Sequence, residues 1–216
     1  ITKLVKPSDP NKSGTFDGSV TINDGRVALR TKDGIKRNVE NLDGTMVLNM
    51  SGMSKGAFIA DVDGSAITMN GKIDMNNVSN FDLFVQVDEI DTAGIMSFVP
   101  LRKELSVTSG KLQDVHLIIK SEDGKYIMSG NVGFKGLTGT YKRGNTIYNI
   151  TDGTGRIMLN NDQIVISRSS WRVNDQVAKI NGLVTLGKEE EYLNLNVVAD
   201  KVALEAITDV GVTGIV

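Results

Sequence analysis

The sequence predicts an all-β chain: one elongated, repetitive sheet with two short helical segments. Three observations predict it. Apolar residues recur at every second position, Asp-Gly pairs punctuate the runs, and whole strand patterns return 111–112 residues later, as from Val39 to Ile150 and from Leu83 to Leu195. Period two places successive side chains on opposite faces of a strand. Regular self-similarity signals stacked supersecondary units, each burying its open face on the next.

Taken in order, the runs are clear. Phe16/Gly18/Val20/Ile22 opens the series, followed by Met46 and Leu48. Ile67-Thr-Met69-Asn-Gly71-Lys-Ile73 alternates without a break, and Phe81-Asp-Leu83-Phe-Val85-Gln-Val87 does much the same. Met128/Gly130/Val132/Phe134, Ile157/Leu159 and Ile180/Gly182/Val184 carry the pattern onward, and Leu195/Val197 close it. About a dozen strands are expected. Asp-Gly stands at 17–18, 24–25, 33–34, 43–44, 63–64, 123–124 and 152–153. The pair suits two-residue hairpins because both residues tolerate positive φ. Asp17-Gly18 lies inside an alternating run, and Asp43-Gly44 is placed at a strand start. Helical periodicity is confined to Thr92–Val99, stopped by Pro100, and Ala203–Val210. The repeat divides the chain into units at 1–104 and 105–216.

Composition narrows the function. Lys plus Arg is 24 and Asp plus Glu is 26, a net charge of −2, so no basic face calls for nucleic acid. No cysteine is present, which excludes disulfides and thiolate metal sites, and a single histidine, His116, argues against multi-histidine metal centres and triad chemistry. No run approaches a membrane-spanning helix. The chain opens on Ile1 with no leader and reads as a slice of a longer protein.

The apolar face has an unusual make-up. Aromatics are 5% of residues, and glycine recurs on the same parity as Val, Ile, Leu and Met. A core-facing glycine wastes packing volume unless the sheet curves there or something other than protein fills the space. A sheet with an aliphatic concave face and a polar convex face is a trough, and an acyl chain is its natural filler, at about 0.8 kcal/mol per CH₂. The expected lining is Val20 and Ile22; Met46 and Leu48; Ile67, Met69 and Ile73; Leu83 and Val85. In the second unit it is Val132 and Phe134; Ile157 and Leu159; Trp171 and Val173; Ile180 and Val184; Leu195 and Val197. The competing reading is an ordinary core, in which these residues close on each other.

Three stretches carry a family resemblance: Phe16-Asp-Gly-Ser-Val-Thr-Ile-Asn-Asp-Gly-Arg-Val-Ala-Leu29, then Val39-Glu-Asn-Leu-Asp-Gly-Thr-Met-Val-Leu48, then Val87-Asp-Glu-Ile-Asp91 leading through Pro100 to Leu112-Gln-Asp-Val-His-Leu-Ile-Ile119. The pattern resembles the TamB branch of the AsmA-like envelope proteins, the bridge-like lipid transfer family. The resemblance implies a U-shaped, taco-like β-groove lined with aliphatics. It implies a non-enzymatic conduit that carries phospholipid between inner and outer membranes in the periplasm of a diderm bacterium. It also implies partnership with an outer-membrane barrel protein. The family's inner-membrane anchor and partner-binding region are expected outside these 216 residues.

Other chemistry is weakly signalled. Gly182-Leu-Val-Thr-Leu-Gly187-Lys188 fits seven positions of a phosphate-binding loop, but Glu189 replaces the Mg²⁺-binding hydroxyl, so a strand and turn is the better account. His116 shares the parity of Asp114, opposite Val115, Leu117 and Ile119, and reads as a solvent-facing strand residue. Trp171 is placed at the groove lip or inside it. No paired carboxylates, calcium loop or cofactor motif appear. The alternative function is a structural or adhesive β-solenoid repeat of a cell-surface protein. An enzyme lacks its catalytic cluster, and an outer-membrane barrel lacks its aromatic girdles. Open edge strands predict edge-to-edge self-association of the fragment.

Overall fold

The structure, a computed structural model, describes residues 17–30, 36–92, 104–186 and 191–199. They form eleven antiparallel strands in one open, uncurled sheet whose spatial order is the chain order. The strands are β1 (Asp17–Arg30), β2 (Lys36–Asn49), β3 (Met53–Val62), β4 (Ser65–Asp74), β5 (Phe81–Asp91) and β6 (Leu105–Glu122). They continue as β7 (Lys125–Arg143), β8 (Thr146–Asn160), β9 (Gln163–Val173), β10 (Gln176–Leu186) and β11 (Glu191–Ala199). β5 pairs with β6, so the sheet crosses the 104/105 boundary without interruption. Both expected helical segments, Thr92–Val99 and Ala203–Val210, fall outside the described residues apart from Thr92.

Asp-Gly plays two structural roles. Asp63-Gly64 and Asp123-Gly124 are hairpin tips, with φ of 50° and 81° in the first and 50° and 75° in the second. Positive φ at both central residues matches the right-handed twist of the flanking strands. Asn174-Asp175 makes the same turn, with φ of 45° and 67°. Asp24-Gly25 and Asp152-Gly153 are not turns. They lie within β1 and β8, at register shifts of the ladder, with Asp24 at φ 50° and Asp152 at 53°. Asp43-Gly44 also departs from expectation. It sits in the middle of β2, paired with Ile59 and Phe58, because the strand begins seven residues earlier at Lys36.

The register itself repeats. Val20↔Met46 in β1–β2 becomes Val132↔Ile157 in β7–β8, and Ile22↔Gly44 becomes Phe134↔Gly155. Phe58↔Met69 becomes Ser169↔Ile180, and Gly71↔Leu83 becomes Gly182↔Leu195. The left-handed residues recur too: Asp24 matches Gly136 at φ 62°, and Asn41 at 48° matches Asp152. The backbone repeat therefore includes its irregularities. A bulge bends its strand and increases local twist, so each unit is bent at matching places.

The core is small. Among the described residues the buried hydrophobics are Val39, Ala60, Val87, Ile90, Val115 and Phe134. Val87, Ile90 and Val115 pack together where β5 meets β6, with Val62, Ile67, Leu112 and Val132 around them. The Asp114 bulge (φ 49°) lies beside Val115 on β6. A single layer can bury residues only where twist folds neighbours over one another, and this junction is such a place.

Candidate functional site

Directly paired residues of an antiparallel ladder share a face. Following the pairs from β1 to β11 places all nineteen expected lining residues on one face. The row Val20, Met46 runs by way of Gly56 and Gly71 to Leu83. A second row joins Phe58, Met69, Val85 and Leu117 to Gly130 and Leu159. In the second unit Val132 pairs with Ile157, Trp171 with Ala178, Ile180 with Val197 and Gly182 with Leu195. Leu48, Ile22, Ile67, Ile73, Val173 and Val184 complete the face by the same pairings. No second layer of described residues covers it: contacts run between sequence-neighbouring strands. Most of these side chains are half-buried by their flanking neighbours. Phe134, between strands, is 4% exposed, and Val197, on edge strand β11, is 53% exposed.

The face carries a shallow concavity of about 250 Å³ over β2–β5, lined by Met46, Gly56, Phe58, Met69, Ile73 and Leu83. Its floor is made by glycine. The space above several glycines of this face is taken by this chain's own rings. A Cβ at Gly44 or Gly56 would meet the ring of Phe58 at 2.3 and 2.6 Å. Phe134 lies over Gly155, and Trp171 over Gly153. The two rings also meet each other, 5.0 Å between centroids. Phe58, Phe134 and Trp171 each cover a glycine and fill the space its missing side chain leaves. At Gly71, Gly130 and Gly182 the obstruction is a neighbouring strand's carbonyl oxygen, that of Asp82, His116 and Asn194. These glycines permit close backbone approach.

Trp171 is half-buried on the aliphatic face, and its indole N–H donates to Ser169 Oγ. A polar handle satisfied within the chain leaves the ring as an apolar surface.

The opposite face is mixed: ion pairs stand among exposed apolar residues, Val47, Ile59, Ile118 and Met158 among them. Lys72 meets Asp82 at 2.9 Å, Arg156 meets Asp114 at 3.0 Å and Arg172 meets Asp152 at 3.2 Å. At the β5–β6 junction Lys111 and Gln113 both donate to Glu89. The Lys111 hydrogen bond, then that of Gln113, holds the Glu89 carboxyl below the ordinary glutamate range, and Glu89 raises Lys111 in return. His116 is on this face, stacked on Phe84 at 6.5 Å and 3.5 Å from Asn131 Nδ2. Gly182–Leu186 is part of strand β10, so the first five residues of the phosphate-loop match are extended, while Gly187 and Lys188 lie outside the described residues. Among the described residues no group of His, Cys, Asp or Glu is placed to hold a metal ion.

What the sequence did not reveal is the set of bulges. Their signal was the second Asp-Gly role at Asp24 and Asp152, with Asn41 as an unmarked third. The chain matches no family model, no curated protein and no solved structure.

Proposed function

We propose that the chain is a segment of a non-enzymatic lipid conduit, its aliphatic face carrying phospholipid acyl chains. One observation carries the reading: nineteen lining positions on nine of the eleven strands share a face, and no second layer of described residues covers it. The glycine caps fit this reading as well as an ordinary core, because Phe58, Phe134 and Trp171 keep the surface smooth and apolar rather than pitted.

Energetics then favour curling. A sixteen-carbon chain wholly buried against apolar walls gains on the order of 12 kcal/mol, close to what it gives up on leaving a bilayer. Laid on an open sheet it buries roughly half its perimeter and gains about half as much. Exchange with a membrane becomes nearly neutral only if the sheet wraps the chain. The repeated bulges at Asp24, Asn41, Gly136 and Asp152 supply bends suited to such a U-shaped, taco-like groove. On this reading the protein works in the manner of the TamB and AsmA-like proteins it resembles in sequence pattern, in the periplasm of a diderm envelope, with an outer-membrane barrel protein as partner of the full-length molecule.

Adjacent residues on opposite faces provide the test. Photoreactive side chains at Ile73 and Val184 should yield phospholipid adducts in the full chain exposed to vesicles, whereas Lys72 and Thr185 should not. Equal labelling of both faces, or none, would overturn the reading. Adducts to protein at Ile73 and Val184 would favour the structural or adhesive repeat, its face closed by polypeptide. Ile73→Asp should abolish lipid capture while costing the fold only about 1 kcal/mol, since the position is half-buried.

A further inference from the structure

The two units match pair for pair with one departure, and it lies on the face opposite the lining. In β2–β3, Asp43 pairs with Ile59 and Thr45 with Ala57. In β8–β9, Thr154 pairs with Ser170 but Arg156 pairs with Ser167. β9 thus holds one residue more than β3 at this point, and that residue is Arg168. The β8–β9 turn is one residue shorter, Asn161-Asp162 against Met50-Ser51-Gly52, so the overall repeat spacing is kept. Arg168 sits at φ 50°, a left-handed conformation that asparagine, aspartate and glycine adopt easily and a long side chain does not. Its N–H donates to Asn181 Oδ1 at 2.7 Å, which fixes the bulge.

The bulge brings Arg168 beside Arg156, and both line one open concavity of about 640 Å³ together with Gly155 and Ser167. Arg156 has one acidic neighbour, Asp114, at 3.0 Å. Arg168 has no acid within ion-pair distance among the described residues. The equivalent place in the first unit carries Thr45 and Ala57 and has no inserted residue. An arginine held at left-handed φ is an observed outlier from which a functional role can be inferred. Two arginines and a serine lining one space suit a tetrahedral oxyanion better than a single carboxylate.

We infer that Arg156, Arg168 and Ser167 form a binding site for a phosphate group. The site lies on the face opposite the aliphatic one, so it stands or falls separately from the acyl-chain reading. A phosphate monoester in solution and the phosphodiester of a lipid headgroup present the same chemistry.

Titration of the full chain with inorganic phosphate, and separately with vesicles of phosphatidylglycerol or phosphatidylcholine, tests the inference. The readouts are calorimetry and the NMR signals of the arginine Nε–H groups. Arg168→Gly is the decisive variant. Glycine accepts the left-handed φ, so its folding midpoint should equal or exceed that of the parent, while phosphate binding weakens about tenfold or more. Arg156→Gln should weaken it similarly, and Arg172→Gln, beside Asp152 on the same face, should leave it unchanged. Loss confined to phosphatidylglycerol vesicles identifies a headgroup site; loss with free phosphate identifies a soluble ligand. The inference is overturned if neither probe binds, or if all three variants bind like the parent.

Discussion

The first unit, β1–β5, and the second, β7–β11, have the same backbone built from different residues. Asn41 and Asp61 are joined by a hydrogen bond of 2.6 Å from Asn41 Nδ2; the matching Asp152 and Arg172 form an ion pair at 3.2 Å. The cross-strand row Val47, Lys55, Lys72, Asp82 is matched by Met158, Val165, Leu183, Asn194. Gly44 is covered by Phe58 from the following strand, whereas the equivalent Gly155 is covered by Phe134 from the preceding one. The lesson is that parity and bulge position recur between the units, while residues on the face opposite the lining change even in polarity. That face is then free to differ between units, which is where the Arg168 insertion occurs.

The comparison breaks most sharply at the covers over glycine. Phe134 is almost fully buried and packs on Trp171 and Gly155, while the matching Ile22 is half-buried. Phe134→Ala should cost about 3 kcal/mol and Ile22→Ala about 1 kcal/mol in chemical denaturation. Equal costs would mean that the second unit does not depend on its aromatic pair. The left-handed positions should instead behave alike. Asn41→Val and Asp152→Val each force a β-branched residue to positive φ, at about 1–2 kcal/mol apiece. A cost at one and none at the other would show that the bulges are not equivalent.

A transplant sharpens the same point. Asn41→Asp sets a carboxylate against Asp61 and should cost about 0.5–1 kcal/mol, as like charges across a strand pair do. Adding Asp61→Arg recreates the ion pair of the second unit and should recover most of that loss. Failure to recover, read by a double-mutant cycle, would tie each pair to its own surroundings.

Strand parity was legible because it is local: Ile67 to Ile73 alternates whatever its neighbours do. The shared face of distant residues such as Val20 and Leu195 followed from parity within each strand, carried across the ladder by its pairings. The two roles of Asp-Gly were not legible. Asp63-Gly64 and Asp152-Gly153 are the same dipeptide, each with its aspartate at positive φ, and only the partner strand decides between hairpin and bulge. The covers over glycine were hidden for a similar reason. Phe58 caps Gly44 from another strand, a fact of register and not of spacing. Arg168 was legible only after alignment of the two ladders, since within β9 it interrupts nothing but a count.

The smallest expected effect concerns the junction between the units. Glu89 there accepts hydrogen bonds from Lys111 and Gln113, and the residue that aligns with it one repeat later is Lys201, so the first unit's arrangement has no acidic counterpart. Those bonds depress the Glu89 carboxyl, with the Lys111 bond the larger cause. A depressed carboxyl contributes stability that is present above the ordinary glutamate range and is lost as pH falls through its lowered folded value. The parent should therefore lose stability on acidification slightly faster than Glu89→Gln, whose side chain does not titrate. The difference should be small, because both Glu89 and Lys111 are about half exposed and water screens the pair. Parallel stability–pH curves for parent and variant would mean that the β5–β6 junction is held by the Val87, Ile90 and Val115 cluster alone, with the ion pair a surface detail of one unit.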